Sequence, residues 1–247
     1  MTAAPGWLRR ARPLLGTLVE IGLDAAASAS AVDAAFAAIA DVQACLSRFD
    51  PGSDIACFNA LPVGASLVLR PHSVAVLAAA RALYKASDGL FDISLGSGAG
   101  GWHCDGPRLH KLSGAVRLDL GGIAKGYAVD RAVDALIEHG CTAGWVNAGG
   151  DLRAFGAVDV PLQLRDENDG GVRRFGSLGE GSFATSHFGA ASRSRLCAGR
   201  DSRSTFGHAS VAAPLCLWAD ALTKVVAASG DVSHPLLARH DARAWLH

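Results

Sequence analysis

Branched and small residues alternate from residue 17 to residue 23, near the start of the chain. Such alternation is typical of a strand with one buried face. The next stretch, Ala25 to Phe49, is rich in alanine and amphipathic at helical spacing, and Ser28 or Ser30 can cap it. The first unit is therefore predicted to be a strand followed by a long helix.

The same order repeats after a turn-forming segment, 51–59, that contains proline, glycine and asparagine. The apolar run 66–70 predicts a second strand, and Pro71 is placed to open a helix that ends near Gly89. Residues 94–108 are so rich in glycine that we expect a loop, of a composition that permits mobility. A second strand and helix thus precede a long irregular segment.

The second half of the chain again mixes strand patterns with helical ones. The predicted elements are a strand at 116–120, a double glycine at 121–122, a helix from Ala124 to His139 closed by Gly140, a strand at 142–147, a turn at 149–150, short strands at 183–186 and 209–214, and a helix from Trp218 to Ser229. Residues 161–178 are polar and turn-rich. Because no long repeat and no clear linker is present, we expect one α+β domain over residues 1–247, with room for two lobes.

The charge of the chain is balanced, with 23 basic and 23 acidic residues among 247. No lysine or arginine run is long enough to follow a phosphate backbone, so we expect no nucleic-acid partner. Half of the residues are hydrophobic, which allows a sizeable core, yet no stretch approaches about eighteen uninterrupted apolar residues. We therefore expect a globular protein without a membrane span.

The N-terminal region and the cysteines predict a compartment. The apolar stretch after Arg9, Arg10 and Arg12 is interrupted by proline, glycine, threonine and glutamate, so it fits neither a signal peptide nor a lipobox. Six cysteines are scattered without a C-x-x-C pair or zinc-knuckle spacing, which is typical of reduced, buried side chains. These features predict a cytoplasmic protein.

The densest chemical signal is the sequence DLGGIAKGYAVDRAVDAL, which begins at Asp119. Its carboxylate is followed by two glycines and by Lys125 in the first helical turn. Free amide groups at a helix N-terminus favour a phosphate, glycine lets the ligand approach, and the lysine adds a positive charge. A strand, two glycines and a helix also form a common tight connection, so the segment by itself leaves phosphate binding open.

Two further clusters have a structural explanation beside a functional one. In VNAGGDLRAFG, Asn147, Asp151 and Arg153 surround a double glycine, and local chemistry favours a hairpin turn over a binding site. In DGLFDISLG, Asp92 lies between two apolar residues and can either cap a turn or contact a ligand.

The late helix carries WADALTKVV, in which Asp220, Thr223 and Lys224 lie together on one helix face. Aspartate and threonine oxygens suit Mg²⁺, which prefers hard oxygen ligands. The alternative is an Asp–Lys pair on a solvated helix face, which would stabilise the helix by only a few tenths of a kcal/mol.

Together these clusters resemble the FAD:protein FMN transferase (ApbE) family. The matching segments follow in the order LLGTLVEI, LSRFDPGSDIACFNA, DGLFDISLG, DLGGIAKGYAVDRA, VNAGGDLRAFG, FATS and ADALTKVV, over about residues 13–230. The resemblance implies a T-fold-like α+β architecture with mixed sheets, packed helices and an FAD cleft between lobes. It also implies transfer of FMN from FAD to a threonine or serine hydroxyl of an acceptor flavoprotein, with release of AMP.

The resemblance also assigns site residues. The positions that resemble FAD contacts are Leu15, Phe49, Leu90, Phe91, Asp92, Asp119 and Lys125. Magnesium at the pyrophosphate is implied near Gly122, whose main-chain oxygen matches the family pattern, and near Asp220 and Thr223. Because the implied chemistry is phosphoryl transfer, positioning and charge neutralisation should supply most of the catalysis.

The chain departs from the family pattern at two places. Many members have threonine four residues after the late-helix aspartate, where this chain has Lys224, whose ammonium cannot bind Mg²⁺ but can partly replace it. The usual His-Ile-x-Asp-Pro segment is replaced by SRSRLCAGRDSRSTFGHASV, in which Leu196 matches the isoleucine and is expected to contact FAD. The histidine is missing, so the catalytic base is open, with His187 and His208 as candidates if either reaches the acceptor hydroxyl.

Two other functions fit the same residues. If water reaches the pyrophosphate in place of an acceptor, the site becomes an FAD pyrophosphatase that yields FMN and AMP. If Lys224 and the missing histidine abolish turnover, the protein becomes a non-catalytic FAD-binding or delivery module. Release of AMP, with or without a labelled acceptor, distinguishes the three.

Overall fold

The structure, a computed structural model, describes residues 7–24, 28–165, 170–188 and 207–247. Within these residues it contains six helices and twelve strands, which confirms the α+β class. The helices are α1 Ala29–Leu46, α2 Asp54–Ala60, α3 Pro71–Ala86, α4 Ala124–Glu138, α5 Cys216–Ser229 and α6 Pro235–Arg239. The strands are β1 Trp7–Leu14, β2 Thr17–Asp24, β3 Ser66–Val68, β4 Trp102–Asp105, β5 Arg108–Lys111, β6 Gly144–Ala148, β7 Asp151–Phe155, β8 Val160–Arg165, β9 Val172–Leu178, β10 Gly181–His187, β11 His208–Ala213 and β12 Arg243–Leu246.

The largest sheet in the described ranges has seven antiparallel strands in the order β1-β2-β6-β7-β10-β11-β12. Leu15 and Gly16 form the two-residue turn between β1 and β2, with φ angles of 56° and 70°. Positive φ at both central residues matches the twist of a tight hairpin. The Leu15 amide donates to Gln43 Oε1 of α1 at 2.5 Å, which ties this turn to the first helix.

The two faces of this sheet are covered by different elements. Helices α1, α4 and α5 lie on one face and share an apolar core that includes Ile21, Val129 and Val225. The hairpin β8–β9 packs on the other face, where Leu162 and Phe183 belong to a second apolar cluster. Because both faces are covered, the central strands β6 and β7 are almost fully buried.

A smaller sheet, in the order β3-β5-β4, occupies part of the segment that is predicted to be a loop. The loop prediction for 94–108 is wrong at β4 and at the start of β5. Strands β4 and β5 pair with each other, and β5 also pairs with β3, which lies far away in sequence. These pairings outweigh the local glycine signal. Lys111 at the end of β5 is buried and donates to the carbonyls of Phe58 and Asn59 at 3.3 and 2.8 Å.

The predicted strand at 116–120 is also wrong, because this segment joins no sheet of the described residues. The side chain of Asn59 takes the place of a neighbouring strand. The Leu118 amide donates to Asn59 Oδ1 at 2.7 Å, and Asn59 Nδ2 donates to the Leu118 carbonyl at 2.9 Å. One amide side chain therefore satisfies both main-chain groups of a buried residue.

The first helix is shorter than the pattern predicts. It runs over 29–46 instead of 25–49, and residues 25–27 lie outside the described ranges. Ser28 is its N-cap, as predicted, and the hydroxyl accepts a hydrogen bond from the Ala31 amide at 3.3 Å. The capping signal is local, so the sequence alone identifies it.

Several elements of the described ranges have no predicted counterpart, among them α2, β8, β9 and β1. The expected loop at 51–59 contains α2, which the Ser53 hydroxyl caps. The polar segment 161–178 contains the strands β8 and β9, and the polarity reflects the exposed side of this hairpin. Strand β1 is arginine-rich and five of its eight positions are exposed, which hides the alternation that predicts strands.

Helix α1 is long and apolar enough to cross a membrane, with 18 residues and a mean hydropathy of 1.4. The core helix of a soluble protein can have the same length and hydropathy. In this fold α1 packs against α3 and α4 and buries Ala35, Phe36 and Ile39. Its surroundings are therefore those of a core helix.

We predict that Asn59→Ala lowers the free energy of unfolding by about 1–3 kcal/mol, because both main-chain groups of buried Leu118 lose their partner. Urea denaturation followed by circular dichroism measures the change. Cys57→Ala, an exposed position on the same short helix, is the control and should change stability little. Equal stability of Asn59→Ala and the control would contradict the bridging role of Asn59.

Candidate active site

The glycine turn that precedes α4 is shaped by Asp119. Its Oδ1 accepts a hydrogen bond from the Gly121 amide at 2.9 Å, and its Oδ2 pairs with Arg48 Nε at 3.0 Å. No side chain at the start of α4 caps this helix, but Asp220 Oδ2 of α5 accepts from the Gly126 amide at 3.2 Å. A carboxylate therefore already lies at the positive end of the α4 dipole.

Lys125 lies between two buried carboxylates. Its Nζ forms an ion pair with Asp151 Oδ2 and lies 3.7 Å from Asp220 Oδ2. The side chains of Asp151 and Asp220 are 1% and 0% exposed, whereas that of Lys125 is 30% exposed. The lysine is therefore the member of this group that a ligand can reach.

Lys224 is the second cation of the cluster. Its Nζ donates to Ser186 Oγ of β10 at 2.9 Å and to the Asp220 carbonyl at 3.1 Å, and it forms an ion pair with Asp220 Oδ1. The Thr223 hydroxyl lies 2.8 Å from Ser186 Oγ and donates to the Asp220 carbonyl at 2.7 Å. All four side chains are buried, so the alternative of an Asp–Lys pair on a solvated helix face is wrong.

Close contact of α4 and α5 brings these side chains together, and two glycines permit it. A Cβ on Gly126 would lie 2.2 Å from the Cys216 carbonyl oxygen, so only glycine fits where the helices touch. A Cβ on Gly122 would lie 3.2 Å from Lys224 Cε, so the stem of this lysine lies against the glycine turn.

The charges of this cluster shift one another's protonation. Burial, together with the charge of Asp220, raises the pKa of Asp151 to about 6, although Lys125 and Lys224 oppose the shift. Burial also acts on Asp220, but there the charges of Lys125 and Lys224 outweigh it and hold the pKa of this carboxyl below its ordinary value. Burial alone would lower the pKa of the Lys125 ammonium, but the charges of Asp151 and Asp220 outweigh it and raise this pKa.

Helix α5 is held in place at its N-terminus by Asp130 of α4. The two carboxylate oxygens of Asp130 accept from the amides of Cys216 and Leu217 at 2.9 and 2.8 Å. Arg153 Nη1 of β7 donates to the same carboxylate at 3.0 Å. No side chain at the start of α5 caps this helix, so the Asp130 carboxylate of α4 caps it instead. By holding the start of α5, Asp130 also determines the position of Asp220 on that helix.

The structure places the positions that resemble FAD contacts in three regions. Leu15 forms the β1–β2 turn, and Asp119 and Lys125 lie at the glycine turn. Phe49 is 79% exposed beneath the Arg48 guanidinium, which lies 4.1 Å from the centre of its ring, and Arg48 connects it to Asp119.

The third region is the segment after α3. Phe91 is buried, Leu90 is half-buried, and Asp92 accepts from the amides of Ser94 and Gly96 at 2.8 and 3.1 Å. The turn-capping alternative for Asp92 is thus realised in the structure. Leu196 lies outside the described residues.

His187 and His208 are brought together, but not with the charged cluster. They are paired residues on β10 and β11, with ring centroids 4.8 Å apart. Successive side chains of a strand point to opposite faces, and Ser186, next to His187, faces α5. Both histidines therefore lie on the sheet face opposite to Asp220.

Two members of the cluster, Asp151 and Ser186, were not predicted as site residues. The double glycine before Asp151 does form a hairpin turn, with φ of 62° and 101° at Gly149 and Gly150, so the local interpretation is correct. It is incomplete, because the first residue of β7 also faces α4 and pairs with Lys125. The feature that marks Asp151 as a site residue is the burial of its carboxylate at the start of β7, and this burial cannot be read from the sequence.

The chain belongs to the ApbE family, whose family model matches residues 15–112 and 101–245. No curated protein matches the chain by sequence. Among solved structures, the apo form of the flavinyl transferase ApbE from Pseudomonas stutzeri is 22% identical with a TM-score of 0.80, and the match covers 100% of this chain and 94% of that one.

Two further structures are similar. The flavin transferase ApbE from Vibrio cholerae is 17% identical with a TM-score of 0.83, over 97% of this chain and 93% of that chain. The apbe protein of Thermotoga maritima is 21% identical with a TM-score of 0.80, over 97% and 94%. At these identities the likeness establishes the shared fold.

The residues around Asp220 do not fit Mg²⁺ as they are arranged. Magnesium requires near-octahedral oxygen ligands at about 2.0–2.1 Å. Asp220 Oδ1 is paired with Lys224, Oδ2 accepts from Gly126, and the Thr223 hydroxyl is bonded to Ser186 and the Asp220 carbonyl. No group of three or more His, Cys, Asp or Glu side chains suitable for a metal occurs in the described ranges.

We predict that Asp130→Ala lowers the free energy of unfolding by about 2–4 kcal/mol, because two amides at the start of α5 and the Arg153 guanidinium lose a buried partner. Thermal and urea denaturation measure the loss. Glu138→Ala, an exposed position at the end of the same helix, should have little effect. A loss no larger than that of Glu138→Ala would show that Asp130 does not hold α5.

We predict that Lys125→Met destabilises the protein more at alkaline than at acidic pH. The raised pKa of Asp151 means that its stabilising contribution falls as pH rises from the unfolded value towards about 6. Removing Lys125 raises the pKa of Asp151 further and also that of Asp220, so the variant's loss should grow by about 1–2 kcal/mol between about pH 5 and about pH 8.

Urea denaturation at both pH values checks this difference. Lys85→Met, at an exposed position on α3, is the control and should show no such pH dependence. A loss that stays constant with pH would show that Lys125 does not interact with ionised Asp151 and Asp220 in the folded state.

Proposed function

We propose that the protein is an FAD:protein FMN transferase that attaches FMN from FAD to a threonine or serine hydroxyl of an acceptor flavoprotein and releases AMP. The observation that carries the proposal is the partly exposed Lys125 beside the Gly121–Gly122 turn, backed by buried Asp151 and Asp220, within a member of the ApbE family. A cation next to a glycine turn at a helix N-terminus suits a pyrophosphate.

FAD would lie along the residues that surround this turn. Lys125 offers its ammonium to the pyrophosphate, and Asp119 holds the Gly121 amide in the turn. An open cavity of about 530 Å³ lies beside Arg48 and Phe49, where an aromatic face suits a planar ring. The assignments of Leu15, Leu90, Phe91, Asp92 and Leu196 to FAD binding remain predictions.

The proposed reaction is a phosphoryl transfer. The acceptor hydroxyl oxygen forms a bond to the FMN-side phosphorus while the pyrophosphate bond to the AMP oxygen breaks. AMP leaves with the electron pair of that bond, and the hydroxyl proton passes to solvent. In a loose transition state, charge develops on the phosphate oxygens, so fixed cations contribute more than a strong base. Lys125 supplies such a charge directly, and the buried aspartates keep it in place.

The resemblance implies that Mg²⁺ at Gly122, Asp220 and Thr223 would assist by spreading the charge on the phosphate oxygens. These metal assignments remain predictions, and the hydrogen bonds of Asp220 and Thr223 oppose them. The assignment of His187 or His208 as catalytic base remains a prediction too, and their position on the opposite sheet face does not support it. A cytoplasmic location also remains a prediction.

Hydrolysis of FAD to FMN and AMP uses the same site with water as the nucleophile. The partial exposure of Lys125 is compatible with both reactions, because an acceptor hydroxyl and water can each reach this group. A non-catalytic FAD carrier differs from both in releasing no AMP.

The test incubates the purified chain with FAD, with and without Mg²⁺, and with an acceptor-domain fragment whose serine or threonine is intact or replaced by alanine. We expect a mass gain of one FMN on the intact fragment together with AMP. Asp220→Asn removes the charge that positions Lys125 and Lys224 and should lower the rate roughly 100-fold or more. Asp105→Asn, an exposed position on β4, is the matched control.

AMP without a labelled fragment would favour the pyrophosphatase, and bound FAD without AMP would favour the carrier. Equal rates for Asp220→Asn and Asp105→Asn would show that the charged cluster is not the site of transfer.

A further inference from the structure

The Lys224 ammonium is completely satisfied by the folded chain. The described residues offer it three acceptors, Asp220 Oδ1, the Asp220 carbonyl and Ser186 Oγ, the last two at 3.1 and 2.9 Å. An ammonium has three N–H donors and no acceptor, so the number of partners matches the number of donors. With 6% of the residue exposed, the ammonium is held inside the protein.

We propose that Lys224 is a built-in cation that occupies the place of a divalent metal beside Asp220, so that the protein does not use Asp220 to bind Mg²⁺. The inference rests on the proposed function only where it concerns catalysis. Its statement about metal binding concerns the protein alone and is tested without a reaction.

The first argument concerns the oxygen atoms that would have to bind a metal. The oxygens that a metal would need, those of Asp220, Ser186 and Thr223, are the acceptors and partners of the lysine network. A metal ion between them would have to displace the ammonium. The stem of Lys224 lies against Gly122, so the lysine also occupies the space between α5 and the glycine turn.

The second argument is charge. Lys125 and Lys224 balance Asp151 and Asp220, so these four buried or partly buried groups have a net charge of zero. A divalent ion would add two positive charges beside an ammonium that cannot move into solvent without leaving its three acceptors. In a buried site, where water screens little, such repulsion is strong.

The third argument is that the position of Lys224 allows Lys125 to bind a phosphate at the glycine turn. Lys224 neutralises one oxygen of Asp220, and the other oxygen accepts from the Gly126 amide at 3.2 Å and lies 3.7 Å from Lys125. Lys224 is therefore a positioning residue. It lets Asp220 stay ionised without drawing Lys125 inwards, which leaves the Lys125 ammonium near the glycine turn.

The test is a titration with Mn²⁺, a paramagnetic substitute for Mg²⁺, in which electron paramagnetic resonance measures the free ion. It compares the wild-type chain with Lys224→Thr and with Lys85→Thr, an exposed lysine on α3, as the control. We expect weak binding in the wild type and the control. Lys224→Thr, which frees Asp220 Oδ1 and adds a hydroxyl, should bind Mn²⁺ roughly 10- to 100-fold more tightly.

Two outcomes would overturn the proposal: wild-type binding as tight as that of Lys224→Thr, or weak binding in both. Circular dichroism establishes that each variant is folded. If Lys224→Thr does not fold, Lys224→Met takes its place; it also frees Asp220 Oδ1 but adds no hydroxyl, so the expected gain is smaller while binding is still tighter than in the wild type. Tight binding by the wild type alone is sufficient to reject the idea.

A second measurement follows AMP release from FAD in EDTA and in Mg²⁺. The rate of AMP release by the wild type should fall less than twofold when EDTA replaces Mg²⁺. AMP release by the folded Lys224 variant should depend on added Mg²⁺. Loss of wild-type turnover in EDTA would overturn the catalytic part of the proposal. Absence of AMP from every variant in both conditions would instead reject the proposed function, while the Mn²⁺ titration would still decide whether Lys224 excludes the metal.

Discussion

The candidate site depends on the close approach of α4 and α5. Gly126 permits it, because any side chain there would meet the Cys216 carbonyl. Asp130 maintains it, because its carboxylate caps α5 from within α4 and is itself held by Arg153 of β7. The same contact brings Asp220 to the Gly126 amide and so to Lys125. A shift of α5 by even part of a turn would separate Asp220 from Lys125 and from the Gly126 amide, and Lys224 from Ser186, so that buried charged groups would lose part of their partners.

This arrangement explains why so much charge can be buried at one place. Isolated charges in the interior are strongly unfavourable, and ion pairs only offset that cost when their remaining donors and acceptors are also satisfied. Lys224 has three acceptors, and Asp220 has partners on both carboxylate oxygens. Lys125 is the exception, since it is paired and yet partly exposed. The network therefore holds Asp151, Asp220 and Lys224 inside the protein and leaves the Lys125 ammonium accessible to a ligand at the glycine turn.

The sequence predicts the parts of this fold whose signals are local. The Ser28 cap, the α3 start at Pro71 and the glycine turn before α4 all depend on neighbouring residues, and each is found. The missed parts depend on partners far along the chain. Strand β5 pairs with β3, about 40 residues earlier in the chain, and Asn59 replaces a strand at Leu118. In the site, helical spacing predicts that Asp220, Thr223 and Lys224 share a face, but not that Ser186 and Asp151 complete their surroundings from two strands.

The sheet itself separates the cluster from the two histidines, and this bears on how the proposed transfer would proceed. His187 and His208 lie on the face opposite to α5, so a hydroxyl held beside Lys125 would not reach them through the sheet. Phosphoryl transfer through a loose transition state requires little removal of the proton before the phosphorus bond forms. What it requires is positive charge that does not have to reorganise as the phosphate oxygens gain charge. Lys125, backed by Asp151 and Asp220, has that property, which makes fixed charge a better explanation of catalysis here than a histidine base.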